Sequence, residues 1–287
     1  MFVSSCDTLR ARGQVQHAIV VPLLGWRHHP APCLVYALME GGSLQDRLEC
    51  ERGKPPLTIH ERVTVLHDVA IGLAFLHQEV GVVHCDVKSA NVLLDRGVVG
   101  RIGDFGIARC FRGRVGGDTV GATHVQTAHV MGTQCYMPPE YLRDGQLSRK
   151  VDTYAFGVVV VEALTAYKAQ APTADFPTLV SMFEDCFDSV EALEEHLDRK
   201  VDWRPHANER VPVLHSIAER CLEYKHKRRP DLVDLLPELA RVKSGAATPP
   251  AAGVCVSAEG RECLICLRED SEISGWIHLR PCGHVCV

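Results

Sequence analysis

Two carboxylates and a carboxamide at fixed spacing constrain this chain more than any other feature. In HCDVKSANVLLD, residues 84–95, Asp86 and Asn91 stand five apart with Lys88 between them. Asp104 follows in GDFGIAR, eighteen residues after Asp86. Moving a phosphoryl group needs a carboxylate to orient the attacking hydroxyl, oxygen ligands for magnesium, and a cation beside the transferring group. Asp86, then Asn91 with Asp104, then Lys88 meet those needs in order.

The rest of the chain gives this loop a setting. Before it, AIVVPLLGW and PCLVYALM are short apolar runs separated by RHHPA, a pattern that predicts two neighbouring buried strands. From Thr58 the period changes. TIHE is a capping box with Thr58 as N-cap and Glu61 three residues on, and Val63, Leu66, Val69, Ala70, Leu73 and Leu76 recur at helical spacing. Further helices are predicted over 153–166, 179–197, 213–224 and 232–242, although VVVV at 158–161 reads as strand on propensity alone. Two strands followed mostly by helices indicate an α+β domain with a helical bulk. A hydrophobic fraction of 46% with 23% charged residues is ordinary for a globular chain. The net charge of -5 gives no footing for nucleic-acid binding. No stretch is long and apolar enough to predict a membrane span, and the opening MFVSSCDTLRARG lacks the apolar core of a signal peptide.

With these elements in order, HCDVKSAN resembles the H-R-D-x-K-x-x-N catalytic loop of protein kinases, and Asp104-Phe105-Gly106 the D-F-G element. MGTQCYMPPE resembles the end of the activation segment, DTYAFGVVVVEALTA a helix of the large lobe, and HKRRPDL the signature near that lobe's end. LVYALMEGGSLQDRL and HAIVVPLLGW are similar to the plant receptor-like and animal Pelle or interleukin-receptor-associated group. The resemblance implies a protein-kinase-like fold over 1–243, with Asp86 positioning the hydroxyl and Lys88 stabilising charge on the phosphoryl. It implies Mg2+ on Asn91 and Asp104, and ATP contacted at Ala37, Met39 and Leu93, with Tyr36 guarding the back of the pocket. It further implies a buried pair between Glu140 and Arg229, and Asp152 bracing the catalytic loop. Lys88 and Thr133 resemble the serine/threonine members of the family, which implies serine and threonine rather than tyrosine acceptors in protein substrates.

The sequence also departs from the family pattern. Cys85 stands where many kinases carry the Arg that receives an activation-loop phosphate, a departure that bears on regulation. Thr119, Thr123 and Thr127 read equally as phosphosites or as a polar loop. No G-x-G-x-x-G loop and no V-A-I-K strand precede the catalytic loop, and there is no Lys before Lys54 and no Glu before Glu40. The small lobe is therefore expected to be incomplete through a truncated start, and the 287-residue chain to transfer little or no phosphate by itself.

Thirteen cysteines divide into two sets. Eight lie singly between 6 and 221 and read as reduced thiols, which points to the cytosol or nucleus, with a cytoplasmic location expected. After a linker (244–260), rich in Ala, Gly and Pro, the segment 261–287 holds Cys263 and Cys266 as C-x-x-C, with Cys282 and His284 as C-x-H. Those spacings suit tetrahedral Zn2+. CLIC and LRPCGHVC resemble the front half of a RING finger, which implies a ubiquitin-conjugating enzyme as partner if the RING is complete in the parent. The sequence leaves three readings: a serine/threonine kinase, a pseudokinase scaffold, and a ubiquitin ligase that selects targets with its kinase lobe.

Overall fold

A computed structural model describes residues 17–27, 33–110, 125–127, 129–206, 208–245, 277–279 and 284–286. The first of these make a turn at residues 18 and 19 and then bridge Val20 to Ile102, with the Val21 N–H donating to Ile102 O at 3.0 Å. They lead into β1 (Leu23–Arg27), which pairs antiparallel with β2 (Cys33–Tyr36) across a bulge between Leu23 and Gly25. The two predicted strands are thus neighbours, but they are not buried. Leu24, Trp26 and Val35 are 68%, 52% and 51% exposed. A two-stranded ribbon covers only the face it turns to the body, and apolar runs alone do not reveal which face is covered.

β3 (Gly42–Ser43) runs into the short helix α1 (Leu44–Leu48), capped by Ser43 and Asp46 reciprocally. The predicted capping box opens α2 (Ile59–Phe75), where the Thr58 N–H donates to Glu61 Oε2 at 2.7 Å and the Glu61 N–H to Thr58 Oγ1 at 3.2 Å. The expected core positions Val63, Leu66, Val69, Ala70 and Leu73 are fully buried, as is Leu76 in the π-helical turn that continues the helix. Four short strands follow: β4 (Val82–Val83), β5 (Val92–Leu94), β6 (Gly100–Ile102) and β7 (Arg109–Cys110). β5 lies between β3 and β6 in an antiparallel sheet, and β4 pairs with β7.

The helical bulk begins after β8 (Val125–Gln126) with α3 (Pro139–Asp144) and β9 (Gln146–Leu147). α4 (Lys150–Thr165) is the central rod, buried from Val151 to Thr165. A helix enclosed on every side needs apolar residues all round, so packing overrides the strand propensity of the valine run. The predicted helix over 179–197 is two helices, α5 (Leu179–Cys186) and α6 (Val190–Glu194). Ser189 caps the second by accepting from the Ala192 N–H at 3.2 Å, while Phe187 leaves helical geometry and is buried. α7 (Arg210–Leu222) packs along α4, and α8 (Leu232–Ser244) along α2. Buried Arg62 fastens α2 to the end of α4, donating to Ala163 O at 2.8 Å and pairing with Asp198. Apart from this body, β10 (Ile277–Leu279) and β11 (His284–Cys286) form an antiparallel pair.

Candidate active site

The loop 84–91 leaves β4 and closes at β5, so short strands hold both of its ends. Its first turn is pinned from beneath by Asp152, which is fully buried near the start of α4. Asp152 Oδ2 accepts from the His84 N–H at 2.8 Å and lies 2.8 Å from His77 Nε2, and Oδ1 accepts from the Cys85 N–H at 2.9 Å. Cys85 stands at φ +69°, a left-handed conformation that costs a non-glycine residue about 1–3 kcal/mol. The Asp152 bonds offset that strain. The Asp86 N–H donates to His84 Nδ1 at 3.3 Å, so the ring proton sits on Nε2, 2.9 Å from Gly103 O. Burial lowers the His84 pKa and keeps the ring neutral.

Four groups close on the Asp86 carboxylate. Oδ1 accepts from the Thr133 N–H at 3.1 Å and from Thr133 Oγ1 at 2.9 Å. Oδ2 accepts from Lys88 Nζ at 2.7 Å and from Asn91 Nδ2 at 3.0 Å. Lys88 also donates to Thr133 Oγ1 at 2.9 Å, and Asn91 Nδ2 to Asp86 O at 2.8 Å. Burial pushes the Asp86 pKa up, but the bonds from Lys88 and Thr133 outweigh it, and the pKa lies below its ordinary value. Asp86 is therefore an ionised acceptor, largely covered by the groups that bond it.

Magnesium needs oxygen ligands, and two protein oxygens are open here. Asn91 spends its Nδ2 on Asp86, which leaves Oδ1 for another partner. Asp104, at φ +57°, is exposed, with Oδ1 accepting from the Gly106 N–H at 3.2 Å. Phe105 is buried edge-on to His84 at 4.8 Å, so the tripeptide is anchored by its ring while Asp104 faces out. Among the described residues no group of three or more His, Cys, Asp or Glu gathers to hold a metal. Two protein ligands with phosphate oxygens match the way magnesium is bound beside nucleotides, so the residues fit that ion.

The segment after β2 supplies the candidate adenine edge. The Ala37 N–H is used by Pro22 O at 3.0 Å, and Met39 O accepts from the Gly42 N–H at 3.1 Å, whereas the Met39 N–H has no acceptor among the described residues. Leu93 in β5 packs beside Gly103. A Cβ there would lie 3.1 Å from Leu93 Cδ1 and 3.4 Å from Val21 Cγ2, which puts Leu93 next to the residue that precedes Asp104.

The implied lobe contacts are present as well. Arg229 grips Glu140 with two bonds, Nη1 to Oε1 at 2.6 Å and Nη2 to Oε2 at 3.0 Å, and its guanidinium lies 4.8 Å from the Tyr154 ring centre. Cys85 is buried in an apolar cluster with Val83, Met137, Tyr141, Leu147 and Val151, and burial pushes its thiol pKa up, so it is an inert thiol. Sequence reasoning missed Glu162, whose Oε1 accepts from Ser89 Oγ and Tyr136 Oη, each at 2.8 Å. Burial raises its pKa to about 7, against the lowering effect of those two bonds. It also missed the grip of Thr133 on Asp86, although the pairing of Lys88 with Thr133 was a readable signal. Thr127 bonds locally to His129, with the His129 N–H donating to Thr127 Oγ1 at 3.2 Å. Thr119, Thr123, Cys263, Cys266 and Cys282 lie outside the described residues, and of His284 only the backbone, in β11, is described.

An ionised carboxylate between a lysine and an asparagine, resting on the helical bulk with an outward-facing aspartate near it, fits the phosphotransfer class. The protein kinase domain family matches residues 8–238, and the chain belongs to that family. It is 35% identical over 261 residues to U-box domain-containing protein 35 of Arabidopsis thaliana, covering 86% of this chain and 30% of that protein. Serine/threonine-protein kinase PBL13 of the same plant is 34% identical over 235 residues, covering 80% of this chain and 46% of that protein. Pelle-like serine/threonine-protein kinase pik-1 of Caenorhabditis elegans is 34% identical over 179 residues, covering 61% and 36% respectively. The chain thus spans less than half the length of these curated relatives. Two of these relatives are named as serine/threonine-protein kinases, one of them Pelle-like. The comparisons name U-box proteins and do not show a RING finger.

Proposed function

We propose that this chain carries the catalytic floor of a serine/threonine protein kinase, which transfers the γ-phosphoryl group of ATP to a protein hydroxyl. The observation that supports this best is the closed set of bonds around Asp86 from Lys88, Asn91 and Thr133. Asp86 accepts the hydroxyl proton as the hydroxyl oxygen bonds to phosphorus and the bond to the ADP oxygen breaks. Lys88, already 2.7 Å from Asp86, offsets negative charge on the transferring group. Magnesium on Asn91 and Asp104 would neutralise phosphate charge. The Met39 N–H and the Ala37 carbonyl meet adenine, with Leu93 beneath the ring.

The test is radiometric transfer from ATP to a peptide bearing Ser, Thr and Tyr. Label should reside on Ser or Thr and vanish in Asp86→Asn. Label on Tyr, or label undiminished in Asp86→Asn, would sink the reading.

The domain division at 243 and 260 belongs to the same proposal, as does a cytoplasmic location, which the free thiols of Cys33, Cys50, Cys85, Cys110, Cys135, Cys186 and Cys221 support. The spacing of Cys263, Cys266, Cys282 and His284 supports a RING-type Zn2+ segment, and with it a ubiquitin-conjugating enzyme as partner. Relatives named for a U-box are compatible with a kinase fused to a ligase module. Zinc analysis of the purified chain decides the point: near-stoichiometric metal lost in Cys263→Ser supports it, and metal-free protein refutes it.

A further inference from the structure

A lysine far from the catalytic loop holds the turn that follows the adenine-facing segment. Lys54 Nζ donates to Gly41 O at 2.8 Å and to Glu40 O at 3.1 Å. Among the described residues its ammonium makes no ion pair. The nearby carboxylates are occupied elsewhere, Glu40 with Arg96 and Asp46 with the Ser43 N–H. A cation spent on two carbonyls fixes the orientation of the peptide planes that carry them.

Two backbone bonds share the turn with Lys54. The Gly41 N–H donates to Leu94 O at 2.8 Å, and a Cβ on Gly41 would come within 2.6 Å of that oxygen, so the turn lies flat on the end of β5. Gly42, at φ +79°, folds back so that its N–H reaches Met39 O at 3.1 Å. Lys54 holds the same turn by its two carbonyls, and the Gly42 N–H bond to Met39 O ties that turn to Met39, whose own N–H lies one peptide unit earlier.

We propose that Lys54 is a positioning residue for the nucleotide. By fixing the carbonyls of residues 40 and 41 it sets the direction of the Met39 N–H that meets adenine. This inference rests on the kinase reading above, since without a nucleotide the clamp would serve the turn alone.

The experiment uses the full chain, Mg2+ and a fluorescent N-methylanthraniloyl-ADP, with Lys54→Met, which keeps the stem, and Lys54→Arg, which keeps the charge. Lys54→Met should weaken nucleotide binding about three- to tenfold and speed hydrogen exchange at Gly41 and Gly42, with α2 unchanged. Lys54→Arg should restore most of both. Unchanged affinity in Lys54→Met would overturn the inference, as would accelerated exchange spread through α2, which marks a purely structural role. If the unsubstituted chain binds no nucleotide, the kinase reading fails and takes the nucleotide role with it. Exchange at the turn would still report the clamp separately.

Discussion

Asp152→Asn is the substitution that most sharply tests how the catalytic loop is held. The native carboxylate is fully buried and meets three donors, the backbone N–H groups of His84 and Cys85 and the ring of His77. A carboxamide keeps the shape but replaces one acceptor oxygen with a donor. One buried backbone N–H then loses its partner, at about 1–3 kcal/mol, and the surviving bonds lose their charge assistance. The sum is roughly 2–4 kcal/mol. Cys85 would then hold φ +69° without the bond that offsets its strain, so the turn carrying Asp86 should relax. For a domain of this size the loss corresponds to a fall in Tm of about 5–15 °C. Thermal unfolding followed by circular dichroism measures it, with exposed Asp202→Asn as the control. A shift below about 2 °C for Asp152→Asn would refute the claim that this carboxylate holds the loop.

Glu162 is protonated more readily folded than unfolded, because burial raises its pKa to about 7 from the ordinary glutamate value near 4.5. Its contribution to stability is therefore full below about pH 4.5 and is lost as pH rises through about 7, a change on the order of 3 kcal/mol. Glu162→Gln should remove that slope in urea unfolding measured across the window, and an unchanged slope would contradict it. Gly132→Ala should destabilise by about 2 kcal/mol or more in the same assay, since φ is +128° and a Cβ would lie 2.8 Å from both Cys85 O and Met137 Cε. Thr133→Val should lower phosphotransfer by about tenfold with little change in Tm, because Asp86 Oδ1 and Lys88 Nζ each lose a bond at the surface.

Much of this was legible in the sequence because it depends on spacing along one loop. Asp86, Lys88 and Asn91 sit in a single turn between two strands, so their order alone brings them together. The capping box at Thr58 and the helical period after it depend on near neighbours in the same way. What the sequence hid depends on distant partners. Glu162 lies within an apolar run and reads as a core interruption until Ser89 and Tyr136 arrive from other elements. Lys54 reads as a loop lysine until the turn at Gly41 is folded onto β5. The break at Phe187 and the exposed face of β1 and β2 were lost for a related reason. Apolar pattern reports that a residue is suited to burial, and tertiary packing decides whether it is covered.

The central claim is that this floor binds a magnesium nucleotide through Asn91 and Asp104, and calorimetric titration of the chain with ADP tests it most directly. Binding is expected with Mg2+ and should weaken at least about tenfold when the metal is chelated, and equally in Asp104→Asn. Binding indifferent to both changes, or no binding at all, would contradict it.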